Sequence, residues 1–561
     1  METTKKYPSP GLDPGVHVFV DRRKEKDVDG RVKPGQGNRR HMILMRSEES
    51  VILRSGQSPR LEGRDQARPI FLIFVLLLAI VGVPLFSTVL PPLVDYPNHL
   101  ARLHLLAEGG NAFYAVRWAP LPDLAADLVV PGLAHIMPLD LAGKLFLLLT
   151  FALIAGGTLW LNRVATGCWR WWPLLAFLLL YDRILLWGFI NYLFGLGVAL
   201  CGLALWLALE DRPRWRVAAS SVIAIACFFA HIAAFGVYAL AIAGIELLPA
   251  LSLLRARRYR DLAQRIAFAG IQFVPPAILF LFCQPASESR PISYGNFWRK
   301  ADLLFSVFDN YSRPFDIACF ALFVVLFGVL AWRRRLMIEP RLGVALAVLF
   351  AAYLLLPSQM LSGSGVDRRL PVALFLLLIA ATTPVVPLPR RAALAIRIAV
   401  AAVFIARMVV IEVVWLSADR VYAGDIAVID SLPQGAKLAV AYPPRDVNAG
   451  AIPELHVATL AAARREAFVP TVFAYAAQQP LALRPPYDAL AAATSPNWIW
   501  AGFVDGDAAT QAAAAPVLKD YDYVVFADRD PFIVPPSACL EAMRSTSRFQ
   551  LFALHHDQDC R

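Results

Sequence analysis

Between positions 93 and 102 the chain reads Leu93-Val94-Asp95-Tyr96-Pro97-Asn98-His99-Leu100-Ala101-Arg102, placing a carboxylate, an amide, an imidazole and a guanidinium within eight residues. Asp95 could act as a general base or as the electrostatic partner of an attacking hydroxyl, with Asn98, His99 and Arg102 contacting a substrate and its departing phosphate. The plain alternative is structural. Pro97 restrains the backbone, Asp95 caps the helix that begins beside it, and His99 bonds a loop carbonyl. Which reading holds depends on the elements that carry the stretch.

Those elements are apolar. Of 561 residues, 58% are hydrophobic and 17% charged, which predicts a polytopic membrane protein. The net charge of +11 lies in short basic runs between apolar segments, the pattern of loops facing anionic lipid; it argues for the bilayer as a partner and against nucleic acid. Cys168, Cys201, Cys227, Cys283 and Cys319 fall in or beside apolar segments and form no CxxC pair. Cys539 and Cys560 are left as candidates for a disulfide in an oxidising compartment. Residues 1–69 are polar and aperiodic, and read as a disordered cytoplasmic tail in which Met42 or Met45 could be the start.

At roughly 20 apolar residues per helical crossing, the sequence predicts eleven crossings, near 70–90, 141–161, 173–190, 191–209, 217–230, 232–254, 266–283, 315–332, 342–356, 371–387 and 398–416. Arginine runs at 163–170, 212–216, 255–265, 333–341 and 390–397 mark cytoplasmic loops. The N-terminus is then cytoplasmic and everything after Leu416 extracytoplasmic. The same count gathers the loops 91–140, 284–314 and 357–370, the turn at 188–192 and His231 on the outer face. Within loop 91–140, helical spacing around Pro131 predicts segments lying in the interface plane.

The outer loops carry misplaced cations. Arg290, Arg299 and Arg313 suit either salt bridges to Asp302, Asp309, Asp316 or Asp367, or an anionic headgroup; Arg102, Arg368 and Arg369 read as phosphate contacts. Asp367, ahead of the two arginines, is a helix cap or part of a mobile clamp. Asp182 and Arg183 cannot face each other on a helix, so each pairs elsewhere or lines a cavity. His231 is an interfacial residue or a cavity residue, and Trp187–Tyr192 reads as an aromatic-belt turn. Residues 417–561 predict a small α/β domain, with strands at 437–442, 521–527 and 549–554 and a helix at 453–466.

A cytoplasmic N-terminus, an acid just after the first helix, part-embedded helices in the first external loop and a C-terminal external domain resemble the GT-C superfamily of integral membrane glycosyltransferases, over residues 70–416. The resemblance implies an all-α polytopic bundle of the inner membrane followed by a small external α/β domain. It implies that Asp95 is catalytic, that the donor is a sugar on polyprenyl phosphate and that the acceptor is an envelope lipid, glycan or protein. The substrate-binding candidates are Asn98, His99, Arg102, Asp182, Arg183, His231, Asp367, Arg368 and Arg369. Many members carry two neighbouring acids. Here Tyr96 follows Asp95, which suits the metal-independent members; no cofactor is expected, with a divalent metal as the alternative. A polysaccharide polymerase or ligase would put its long loop late in the bundle, and a transporter or flippase would show internal repeats.

Overall fold

The apolar runs fold as helices. The computed structural model describes the backbone of residues 59–283, 290–294, 296–361, 363–384, 389–444, 453–475 and 478–555. Its first half comprises α1 (Pro59–Ser87), α2 (Tyr96–Ala107), β1 (Tyr114–Val116), α3 (Ala125–Ala134), α4 (Leu139–Thr166), α5 (Arg183–Trp187), α6 (Ile190–Ala208), α7 (Pro213–Ala230) and α8 (Ile232–Arg255). After α9 (Tyr259–Gly270), α10 (Val274–Leu281), β2 (Arg290–Ser293) and α11 (Phe297–Phe305) come α12 (Arg313–Trp332), β3 (Leu336–Ile338), α13 (Pro340–Leu355), β4 (Gln359–Leu361), β5 (Gly363–Ser364), α14 (Leu370–Ala381), β6 (Thr382–Pro384) and α15 (Arg390–Ile429).

Among the described residues, seven helical stretches are long and apolar enough to cross a membrane: Ala67–Ser87, α4, α6, α8, Tyr259–Leu281, α12 and Arg391–Ile429. The protein is an integral membrane protein of mainly helical fold. Helices α13 and α14 are shorter than a full crossing, and the expected crossing at 173–190 is not one helix. A 3₁₀ segment, Trp172–Leu179, leads into α5. Asp182 caps α5 by accepting from the Leu185 amide at 2.8 Å, and Gly188 closes it at φ +94°. Such irregular backbone is tolerated at membrane depth where protein surrounds it, and Trp172 and Leu175–Tyr181 are buried.

The bundle is knit by close backbone approach and by paired charges. A Cβ on Gly197 of α6 would lie 2.6 Å from the Leu153 Cβ of α4, the small-residue packing that brings membrane helices together. Glu246 holds Arg216 (3.1 Å) and Arg265 (2.6 Å), and Asp316 holds Arg407 (2.7 Å). A mainly apolar cavity of about 900 Å³ lies between α1, the 171–178 stretch and α15, and no candidate site residue lines it.

At both ends of the bundle the boundaries differ from the sequence expectation, and the helix expected at 453–466 is a 3₁₀ turn followed by one short helix. Helix α1 begins at Pro59, inside the stretch read as a tail, and α15 runs unbroken past Leu416 to Ile429. Beyond it lie β7 (Leu438–Ala441), a 3₁₀ turn (Pro453–Thr459), α16 (Leu460–Arg464), β8 (Leu481–Leu483), β9 (Tyr523–Ala527), β10 (Leu540–Ser545) and β11 (Phe549–Leu554). Four of these strands form a sheet in the order β10-β11-β9-β7, parallel between β7 and β9 and antiparallel elsewhere. Strand β10 escaped the sequence reading because most of its residues are exposed and show no apolar alternation. Cys168, Cys201, Cys227, Cys283 and Cys319 are free thiols, whereas Cys539 is disulfide-bonded; Cys560 lies outside the described residues.

The C-terminal segment clasps the first loop. Strand β1 pairs antiparallel with β8, Tyr114 opposite Leu483, and the Tyr114 hydroxyl donates to the Val469 carbonyl at 2.8 Å. Asp419 of α15 accepts from the Val89 amide at 2.6 Å, just past the end of α1.

Candidate active site

Asp95 stands at the corner between α1 and α2, held by its backbone. The Val94 amide donates to the Leu186 carbonyl (2.9 Å), and the Asp95 amide to the Trp187 carbonyl (3.2 Å). Gly188 makes the contact possible, because a Cβ there would come within 2.7 Å of the Asp95 Cβ. The carboxylate itself makes no capping bond to α2 among the described residues. It keeps 24% of its surface open, with His456 Nε2 3.4 Å from Oδ1.

Around this corner the structure brings together residues from five chain regions. Arg368 lies over the Trp187 ring, 4.5 Å from its centroid, and Arg369 lies over Phe189 at 4.4 Å. The Tyr192 hydroxyl donates to the Arg369 carbonyl (2.5 Å), and the Tyr192 ring meets His231 edge-on at 5.6 Å. The acids whose charge acts on Arg369 are Asp123, Asp367 and Asp95. Asp123 holds φ +77°, a left-handed conformation that Asp tolerates better than most residues. Asn191 pins it there: its Nδ2 donates to the Asp123 carbonyl (2.8 Å), while its Oδ1 accepts from the Ala126 amide (2.8 Å) at the start of α3.

Several sequence candidates turn out to build the frame and not the open face. Asn98 is fully buried, with bonds to the Thr471 carbonyl (2.8 Å) and the Phe473 amide (2.7 Å). His99 Nε2 bonds the Gly188 carbonyl (3.0 Å), as its structural reading anticipated. Arg102, read as a phosphate contact, is fully buried and forked onto Asp127 at 2.8 and 3.0 Å. In the amide orientation that satisfies both neighbours, Gln479 accepts from Arg102 Nη1 at 3.0 Å. Asp182 caps α5 and Arg183 is ion-paired with Asp309, so neither joins Asp95. His231 caps α8, its Nδ1 accepting from the Ala233 amide at 2.9 Å. Asp367 is buried between Lys300 (3.1 Å) and Arg299 (3.6 Å), and Arg313 reaches Asp302 at 3.7 Å.

Two participants escaped the sequence reading. Asp123 fell within loop 91–140, where only the helical spacing around Pro131 stood out. His456 lies in the C-terminal segment with no spacing that relates it to Asp95.

Two groups in the first loop predict opposite pH slopes. Burial pushes the Asp123 carboxyl up to about 7, against the pull of Arg102 and Arg369, and pushes the His99 imidazole down to about 3. With ordinary values of 3.8 and 6.5, the neutral Asp123 carboxyl contributes stability below about 3.8 and loses it as pH rises to about 7. Neutral His99 contributes fully above about 6.5 and loses that as pH falls to about 3. Between about 3.8 and 6.5 the slopes oppose. Asp123→Asn is therefore expected to make the melting temperature of the detergent-solubilised protein fall more steeply on acidification across that window than in the wild type. An unchanged slope would remove Asp123 from the account.

The helical bundle, with a first loop clasped by the C-terminal segment, is similar in fold to solved structures. The solved structure of ArnT from Cupriavidus metallidurans in the apo state is similar with a TM-score of 0.51 and 14% identity, over 86% of this chain and 98% of that one. The same protein bound to undecaprenyl phosphate gives 0.49 and 13%, over 86% and 97%. Arabinofuranosyltransferase AftD from Mycobacteria gives 0.45 and 16%; 87% of this chain is covered, but the chain spans only 40% of that one. No family model and no curated protein matches the sequence.

Proposed function

We propose that the protein is a membrane glycosyltransferase that moves a sugar from a polyprenyl-phosphate donor to an envelope acceptor on the extracytoplasmic side. The observation that carries this reading is Asp95: an acid directly after the first membrane helix of a GT-C fold, fixed by its backbone while its carboxylate stays open. In the proposed reaction the acceptor hydroxyl oxygen attacks the anomeric carbon from the face opposite the phosphate. Asp95 takes the hydroxyl proton, the carbon–oxygen bond to phosphate breaks, and polyprenyl phosphate leaves with the electron pair. One displacement inverts the anomeric centre. Arg368 and Arg369 are the proposed phosphate contacts, since a guanidinium stacked on a ring directs its in-plane donors to the rim. The retained carboxylate and imidazole beside arginine do not fit a hard divalent cation, which favours several oxygen donors. Among the described residues no group of three or more His, Cys, Asp or Glu could hold one. We accordingly propose a metal-independent reaction.

The basic runs support a cytoplasmic N-terminus, and the first loop and C-terminal domain facing outward. The test uses the full chain in nanodiscs with a panel of undecaprenyl-phosphate-linked radiolabelled sugars and an envelope lipid extract. Label is expected to move to the extract with release of undecaprenyl phosphate. Reconstituted vesicles that carry the labelled lipid across the bilayer with its sugar bond intact would make the protein a transporter and end this reading.

A further inference from the structure

The C-terminal segment does more than cover the first loop. Its His456 ring has Nε2 3.4 Å from Asp95 Oδ1 and Nδ1 3.2 Å from Asn98 Nδ2. Which ring nitrogen carries the proton follows from the hydrogen bonds of Asn98. Its Oδ1 accepts from the Phe473 amide at 2.7 Å, so the oxygen is fixed. Its Nδ2 therefore has two hydrogens to place, of which one goes to the Thr471 carbonyl at 2.8 Å and the other points at His456 Nδ1. An amide nitrogen only donates, so Nδ1 must be the lone-pair nitrogen, and in the neutral ring the hydrogen belongs on Nε2, facing Asp95. Phe473 packs against the same imidazole in a T-shaped contact, centroids 5.3 Å apart.

We propose that His456 is a positioning residue for Asp95, donating from Nε2 to one carboxylate oxygen and aiming the other at the acceptor, with Asn98 fixing the tautomer. This rests on the reading of Asp95 as the base. The 3.4 Å separation is longer than a made N–H···O bond, and the proposal has it shorten in the substrate complex. The arrangement gives the C-terminal segment a place in the chemistry: Thr471 and Phe473 set Asn98, Asn98 sets His456, and His456 sets the base.

The experiment uses full-length protein in nanodiscs with an undecaprenyl-phosphate sugar that the wild type turns over. His456→Ala is expected to lower kcat about 10- to 100-fold while KM for the donor and binding of undecaprenyl phosphate stay within about twofold. His456→Gln, whose amide nitrogen can donate over the same reach, is expected to restore most of kcat. A two-bond nitrogen–proton spectrum of ¹⁵N-histidine protein is expected to show His456 protonated on Nε2, and Asn98→Leu to mix the tautomers. Wild-type kcat in His456→Ala with an inactive Asp95→Asn overturns the positioning role and leaves the function standing. Activity in Asp95→Asn overturns the function. A Gln variant no better than Ala overturns the donor role. Should His456→Ala also lose undecaprenyl phosphate binding, the wild-type spectrum decides, and a proton on Nδ1 overturns the proposal.

Discussion

Asp95→Asn is expected to lower sugar transfer about 100- to 10,000-fold, the range that removal of a general base commonly costs. The exchange keeps size and shape. The amide of residue 95 still donates to the Trp187 carbonyl, and the carbonyl still accepts from the His99 amide at 2.9 Å. The corner therefore keeps its form, and His456 still finds an oxygen opposite Nε2. What is lost is the ability to take a proton. The effect should fall on kcat, with KM for the polyprenyl-phosphate donor within about twofold, because an interaction made in the transition state alone is removed. Membranes carrying equal amounts of wild-type and variant protein, assayed with the same donor, give the comparison. Substantial turnover by the variant would sink the assignment of Asp95 as base.

The second large effect is on stability. Asp127→Ala would leave Arg102, fully buried, without its forked partner, and breaking such a pair from one side typically costs about 3–5 kcal/mol. Thermal unfolding in detergent should show a large drop in melting temperature. Replacing both partners, as in Arg102→Met with Asp127→Leu, is expected to recover most of it, because no charge is stranded. The double variant also separates the two readings of Arg102. Retained transfer would mean that the guanidinium acts as a strut between α2 and α3; intact stability with lost transfer would return it to the substrate.

Arg102 shows why a local reading of the sequence singles out candidates without deciding which of them are buried and paired. Asp95 was legible because its signal is local: an acid just beyond a membrane-length apolar run, followed by proline. Arg102 looked the same by that criterion. Its partner is 25 residues away on α3, and only the packing of α2 against α3 brings the carboxylate to it. His456 is further removed, 358 residues from Asn98, in a stretch whose composition sets it apart from nothing around it. Asp182 and Arg183 were expected to pair elsewhere or line a cavity; they form a helix cap and an ion pair. The expected helix at 173–190 failed for a related reason. Hydrophobicity identifies a segment that avoids water, but does not decide whether lipid or protein surrounds it, and protein permits the broken backbone seen there.

The sequence by itself determined that the chain is a membrane protein, where most of its long helices run, and which strands β7, β9 and β11 close the C-terminal end. Each of these depends on a run of neighbouring residues, either long enough to span hydrocarbon or alternating to cover one face of a sheet. Tertiary structure alone decided which charged groups are spent on one another and which remain open. Burial and pairing are set by residues distant in the chain, so Arg102 and Asp127 neutralise each other at the core of the first loop while Asp95, held through its backbone by the turn at Leu186–Trp187, keeps its carboxylate partly open beside His456.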